Sequence, residues 1–303
     1  MGILVFGSAN IDETYSVPHM VARGETLAAT AVTRRSGGKG LNQAIACARA
    51  GTPTAFAGAI GEDGRFLLGE LEAAGVDTSR VRVLKGERTG VAVIQNDAAG
   101  DNCILLYGGA NRCIAAEQVA GALEGYGPGD MVVLQNEVNL TGTVIRAAHA
   151  RGISVALNPS PLDEAVLAMP LDLVGYLLLN EVEAAQLLGA QAAGAVASAD
   201  WDEVAALLGA RFPRATVVLT LGGAGSMLIA EGEVSVRQPA RSREVVDTTA
   251  AGDTFTGFLL AALARGEEPA AAMELAARAA GLAVSRPGAA PSIPTLEEVE
   301  AWA

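Results

Sequence analysis

The run Asp247-Thr248-Thr249-Ala250-Ala251-Gly252-Asp253, which leads into the apolar stretch Phe258–Leu263, has the residue types for chemistry on an anion. Small residues just ahead of a helix let backbone N–H groups converge at the positive end of its dipole, a device suited to a phosphoryl group. A carboxylate at that mouth, Asp253, is an odd neighbour for an anion unless it takes a proton from an attacking hydroxyl. The competing assignment is an ordinary N-terminal cap, for which Asp is favoured. Asp247 is either a turn residue of the same sort or an oxygen ligand for a cation. A second run, Ser36-Gly37-Gly38-Lys39-Gly40-Leu41-Asn42-Gln43-Ala44, opens a helix over 39–50. It brings Asn42 towards a small ligand touching the glycine backbone, and taken alone it is equally a tight turn.

The elements that must position these groups are legible as unbroken apolar runs at 3–6, 55–60, 131–135, 153–157, 176–179 and 215–220, of the kind buried on both faces of a parallel sheet. Helical stretches lie over 39–50, 64–74, 115–124, 141–151, 181–189, 201–210, 252–265, 269–285 and 295–302, several closed by glycine. Strand alternating with helix predicts a doubly wound, mostly parallel α/β sheet flanked by helices. Many of these strands stop on polar side chains: Asn10, Gln135-Asn136-Glu137, Asn158, Asn180 and Thr220. Ligands bind at the carboxyl edge of such sheets, so these side chains are expected to line one crevice.

Residues 11–36 and 87–109 break the rhythm. Their alternating patterns at Thr26–Thr33, Gly90–Gln95 and Cys103–Tyr107 predict a small antiparallel β lid inserted into a core made of residues 1–10, 37–86 and 110–303. Val91, Val93, Ile104 and Leu106 give that lid an apolar face able to pair two subunits into a homodimer. Residues 190–200 read as an Ala-rich surface connection, and Glu297–Glu300 as a solvated helix face. His19 and His149 have no partner spacing for a metal or a triad.

With 34 Asp and Glu against 21 Lys and Arg, the net charge is −13, and no stripe of basic residues gathers on any segment. Nucleic acid and anionic membrane are therefore poor partners, and an anionic substrate needs local devices to hold it. Cys47, Cys103 and Cys113 form no C-x-x-C pair. Reduced thiols, a start without a basic leader and the lack of an apolar run of ~18 residues together predict a soluble, cytoplasmic protein. Aromatics are 4% of the chain while Gly numbers 36, so packing must rest on close approach of small residues.

The Walker A spacing fails around Gly38-Lys39, where Thr33 stands at the first glycine position and Gly40 follows the lysine. The dinucleotide fingerprint fails at Gly7-Ser8-Ala9-Asn10, and protein-kinase signatures are absent. The two glycine-containing runs instead resemble the paired signatures of the PfkB carbohydrate kinases. Supporting pieces extend along the chain in order: Gly7–Asp12, Gly61-Glu62-Asp63, Thr89–Ala92, Gly109-Ala110-Asn111, Asn180-Glu181-Val182-Glu183, Thr220-Leu221-Gly222 and Pro287–Ser292.

That resemblance implies ATP-dependent phosphorylation of a sugar hydroxyl, in the first place O5 of D-ribose. The alternatives are deoxyribose, another sugar or a nucleoside as acceptor, and a sensing protein that binds without turnover. It implies that Asn10, Asp12, Gly38, Lys39, Asn42 and Glu137 hold the sugar and that Asp253 is the general base. Ala250, Ala251 and Gly252 would supply an N–H anion hole. Asn180 and Glu183 would organise Mg2+, and Thr220, Gly222 and Gly225 would line the nucleotide. A monovalent cation, K+, would be held by Asp247 and Thr249 with oxygens of Ala283, Arg286, Gly288 and Ser292. The chain departs from the family pattern in reading Ala-Ala-Gly-Asp where much of the family has Gly-Ala-Gly-Asp, in Phe258 after Gly257, and in Leu41. The first is expected to leave the backbone donors intact, Phe258 to face the core, and Leu41 to trim the sugar pocket.

Overall fold

A computed structural model describes residues 1–97, 99, 101–241 and 244–302. Ala98 and Gly100, in the expected lid range, and Ser242, Arg243 and Ala303, in the expected core range, lie outside the described residues. The strands are β1 (Ile3–Phe6), β2 (Asn10–Ser16), β3 (Ala31–Gly37), β4 (Thr54–Gly61), β5 (Asp77–Leu84), β6 (Gly90–Asn96) and β7 (Asn102–Tyr107). They continue as β8 (Met131–Gln135), β9 (Ser154–Asn158), β10 (Tyr176–Asn180), β11 (Thr216–Thr220), β12 (Ser226–Ala230) and β13 (Glu233–Gln238).

Nine of them form one sheet in the order β13-β12-β11-β10-β9-β8-β1-β4-β5. From β11 to β5 every neighbour is parallel, and β12 and β13 close one edge antiparallel. Alternation along β1 explains why a central strand is apolar at every position. Ile3 and Val5 enter the core beneath one layer of helices, and Leu4 and Phe6 enter the core beneath the other. Where Lys39–Arg49 crosses Ala251–Ala264, a Cβ on Gly257 would stand 2.3 Å from the Ala46 methyl, so this crossing requires the missing side chain.

The second sheet has the order β3-β2-β6-β7. Each of its outer pairings is antiparallel, whereas β2 and β6 run parallel from Asn10↔Gly90 to Ser16↔Asn96, because both strands leave the edge of the large sheet at the same level. The strand expected at Thr26–Thr33 is instead Ala31–Gly37, its place fixed by register with β2 rather than by its own alternation. Strands β5, β12 and β13 were not expected: β5 and β13 lie at the sheet edges and mix polar with apolar residues, and β12 follows β11 with no α-helix between them, outside the strand–helix rhythm. Short helices at Glu164–Leu167 and Ala193–Ala197 were also unforeseen, the latter inside the expected surface connection.

Candidate functional site

Parallel alignment carries Gln135, Asn158, Asn180 and Thr220 to the same edge of the large sheet, as the carboxyl ends of β8 to β11. Above that edge the helix Ala251–Ala264 begins, with Asp253 buried in its first turn. The Asp253 carboxylate is gripped from the helix Lys39–Arg49: Asn42 Nδ2 donates to Oδ2 at 3.0 Å and Gln43 Nε2 to Oδ1 at 2.9 Å. Asp253 does not fold back to cap its own helix. The Ncap residue is Ala250, with no side-chain cap.

Ala250 adopts φ 59°, the left-handed conformation. The substitution of Ala for Gly at this position therefore carries a backbone cost that the sequence reading did not address. Cβ crowding makes the conformation unfavourable by roughly 1 kcal/mol for a residue other than Gly. The turn leaves the Ala250 and Gly252 N–H groups without hydrogen-bond partners among the described residues, while that of Ala251 donates to Thr248 O at 3.2 Å.

Beside Asp253 lies a charge cluster at the root of the small sheet. Glu137 follows β8 and accepts from the Ser8 hydroxyl and, at 3.1 Å, from Lys39 N. Burial pushes its carboxyl above the ordinary range, against the pull of Ser8 and Lys39. Asp12, in β2, is pushed up to about 7, first by burial and then by the negative charges of Glu137 and Asp253. Its carboxyl lies so close over Gly37 that a Cβ there would be 2.0 Å from Oδ2. Burial favours the neutral form of Lys39, but Asp253, Glu137 and Glu183 outweigh it and hold the ammonium above its usual pKa. Gly38, at φ 94°, lets this helix start against Ser8 and Asn10. The Asn10 Oδ1 accepts from Asn111 Nδ2 at 2.7 Å, a partner whose role the sequence reading did not assign.

Two adjoining clefts share Thr220, Thr248, Ala251 and Gly252. One contains Lys39, Asn180, Glu183 and Asp253. The other runs past Gly222, Gly225, Val245 and Phe255 to Ala277 and Gly281. Asn180 and Glu183 form a capping box, Asn180 Oδ1 accepting from Glu183 N at 2.8 Å and Glu183 Oε2 from Asn180 N at 3.0 Å. Glu183 Oε1 makes no hydrogen bond among the described residues, which leaves one carboxylate oxygen able to hold the hydration water of a cation.

Asp247 accepts from Thr249 N at 2.9 Å, Thr249 Oγ1 at 2.6 Å and Gly288 N at 2.8 Å. Although burial opposes it, these bonds and the charge of Arg35 hold its carboxyl below the usual range. The Ala283 carbonyl accepts from Arg286 N at 3.0 Å, and the Ser292 hydroxyl donates to Ala289 O at 2.7 Å. Asp247, Thr249 and Gly288 are thus in mutual contact, while Ala283, Arg286 and Ser292 spend the groups named here within their own segment. The Arg286 side chain pairs with Glu298. The sequence reading missed Arg35 of β3, whose guanidinium stands 2.7 Å from where a Gly288 Cβ would be.

Phe258 is fully buried in the core, as expected. Leu41 is fully buried there too and lies in the same apolar cluster as Phe258, so it is a packing residue rather than one that trims a sugar pocket.

Comparison with known proteins gives the same picture over the whole chain. Residues 2–296 match the pfkB family carbohydrate kinases. The chain is 35% identical to ribokinase of Staphylococcus aureus, over 98% of each sequence. Among solved structures, ribokinase of Cryptococcus neoformans in complex with ADP superposes with a TM-score of 0.87 at 37% identity, covering 99% of both chains. Arabidopsis thaliana ribokinase complexed with ribose and ATP superposes with a TM-score of 0.85 at 31% identity, covering 99% of this chain and 98% of that one.

Proposed function

The chain belongs to the PfkB family of carbohydrate kinases, and from that premise we propose that it transfers the terminal phosphoryl group of ATP to O5 of D-ribose. One observation carries the reading: a buried carboxylate, Asp253, is held by two amides at the start of a helix whose first turn offers unpartnered N–H groups. Asp253 accepts the proton of the attacking hydroxyl. Backbone N–H groups of Ala250 and Gly252, with Ala251 once its weak turn bond is exchanged, receive charge that grows on the phosphoryl oxygens. Lys39 adds a fixed positive charge beside them.

The sugar is held by Asn10, Asp12, Gly38, Lys39, Asn42 and Glu137. Asn42 Oδ1 is buried without a partner, and a sugar hydroxyl donating to it would remove a cost of about 1–3 kcal/mol. Thr220, Gly222 and Gly225 line the nucleotide in the adjoining cleft. Asn180 and Glu183 suit Mg2+ held through water, and that ion supplies neutralisation of phosphate charge. Asp247, Thr249 and Gly288, with oxygens of Ala283, Arg286 and Ser292, suit a hard monovalent cation such as K+, which would fix the conformation of the Thr248–Gly252 turn.

We read residues 11–36 and 87–109 as a lid over the sugar and as the contact of a homodimer. No helix among the described residues is long and apolar enough to cross a membrane. Cys47, Cys103 and Cys113 are free, in keeping with a reducing cytoplasm. Deoxyribose and nucleosides as acceptors are less well supported, since relatives 33–35% identical over nearly their full length carry the name ribokinase.

The test is ADP release measured over a panel of pentoses, hexoses and nucleosides, with ribose expected to give the highest kcat/KM. A clear preference for another acceptor overturns the substrate. Asp253→Asn should lower turnover by ~10²–10⁴-fold while sugar binding persists.

A further inference from the structure

We propose that Gln43 is a positioning residue for Asp253, and that Gln135 fixes the amide of Gln43 in the one orientation able to do this. The inference rests on the reading of Asp253 as the general base.

Gln43 is completely buried and therefore cannot serve the sugar directly. Its two amide protons are both committed: Nε2 donates to Asp253 Oδ1 at 2.9 Å and to Asn158 Oδ1 at 3.3 Å. Its Oε1 accepts from Gln135 Nε2 at 2.6 Å. The chemistry of the partners leaves no freedom in these orientations. An ionised carboxylate only accepts, so Gln43 must present nitrogen to Asp253 and hence oxygen to Gln135. Gln135 must in turn present its own nitrogen, which leaves its Oε1 buried and unpartnered. That oxygen lies where a Gly7 Cβ would be, 2.1 Å away, so the glycine ending β1 makes room for the amide. Asn158 is oriented by the same logic, since its Nδ2 donates to Leu178 O at 3.1 Å.

The carboxyl ends of β8 and β9 and the helix Lys39–Arg49 thus act together to hold one oxygen of Asp253 in place. Asn42 holds the other and has a second task at the sugar. Gln43 has no other task.

The experiment compares kcat and KM for ribose for Gln43→Met, Gln135→Met and Gln135→Glu, with Asp253→Asn alongside. Gln43→Met is expected to lower kcat by ~10–100-fold, as misplacement of a reacting group does. Its KM should stay within about two-fold. Gln135→Glu can only accept when ionised, so it turns the Gln43 nitrogen away from Asp253 and should match Gln43→Met, whereas Gln135→Met, which merely releases the amide, should cost less. Melting temperatures identify a variant that fails to fold, and if Gln135→Glu is one, the other two carry the test. A Gln43→Met enzyme whose kcat matches the parent, or whose loss lies in KM alone, overturns the positioning role. Full activity in Asp253→Asn overturns the general-base reading instead, so the two failures are distinguishable.

Discussion

Strand β1 of the large sheet and strand β7 of the small one are both rich in large apolar residues and end in opposite circumstances. In β1 of the large sheet every side chain is at most 1% exposed, because helices cover both faces. In β7 of the small sheet Ile104 is 56%, Leu105 71% and Leu106 52% exposed, and Val32 of β3, at the opposite edge, is 61% exposed. The expected apolar lid face was only partly right in its membership. Val91 is already spent in this chain's own core and Val93 is half-buried, while Leu105, Tyr107 and Val32 are exposed on one face of the small sheet and Ile104 and Leu106 on the other. One sheet is a finished scaffold. The other leaves apolar side chains bare, which is the physical support for a second copy lying against it.

The widest separation between the two regions is expected in stability. Phe6→Ala empties a site in the large sheet and should cost about 3–5 kcal/mol in denaturant unfolding. Leu105→Ala should cost less than about 0.5 kcal/mol in the same measurement on monomer. Leu105→Arg should halve the mass seen by light scattering with the fold intact. A parent protein that is already monomeric breaks the contrast.

A smaller effect is expected where the regions join, at Asp12. Burial, and then the charges of Glu137 and Asp253, push its carboxyl up to about 7 in the folded chain from an ordinary value of 3.8, so the folded protein holds this proton more tightly than the unfolded chain. The group costs nothing while both states are protonated, below about pH 4, and lowers stability progressively as pH rises through 7. Asp12→Asn should flatten that slope in melts of the sugar-free protein. KM for ribose should rise as pH falls below 7, where Asp12 ceases to be a charged acceptor, and Asp12→Asn should remove this dependence. A KM that is flat from pH 6 to 8 in the parent removes Asp12 from the sugar.

The smallest effect concerns Ala250. Ala250→Gly relieves the left-handed strain of roughly 1 kcal/mol and loosens the unfolded chain by a similar amount, so the net change in melting should be slight. A loss of several kcal/mol would mean that the methyl group is packed and the strain account is wrong.

Much of the scaffold was legible because its signals are local. Central strands are apolar without interruption, helices end on glycine, and polar residues follow the strands, all within a few positions of one another. Edge strands β5 and β13 escaped because a strand covered on one side only keeps polar residues and loses that signal. Residue types at the site were equally legible: Asp253, Lys39, Asn42 and Glu137 stand out as sequence. Their contacts were not, because the partners that orient Asp253 lie 210 and 211 residues away and nothing local marks them.

The sequence by itself determined the parallel architecture, the carboxyl edge on which polar groups collect, and the family to which the two glycine-containing runs point. Only the tertiary structure decided that Ala250 is strained, that Leu41 is core, that Arg35 reaches Gly288, and that Gln43 and Gln135 hold Asp253. Backbone propensity and hydrophobic period act over a few residues. Amide orientation, pKa and strain depend on which distant groups the packing presses together.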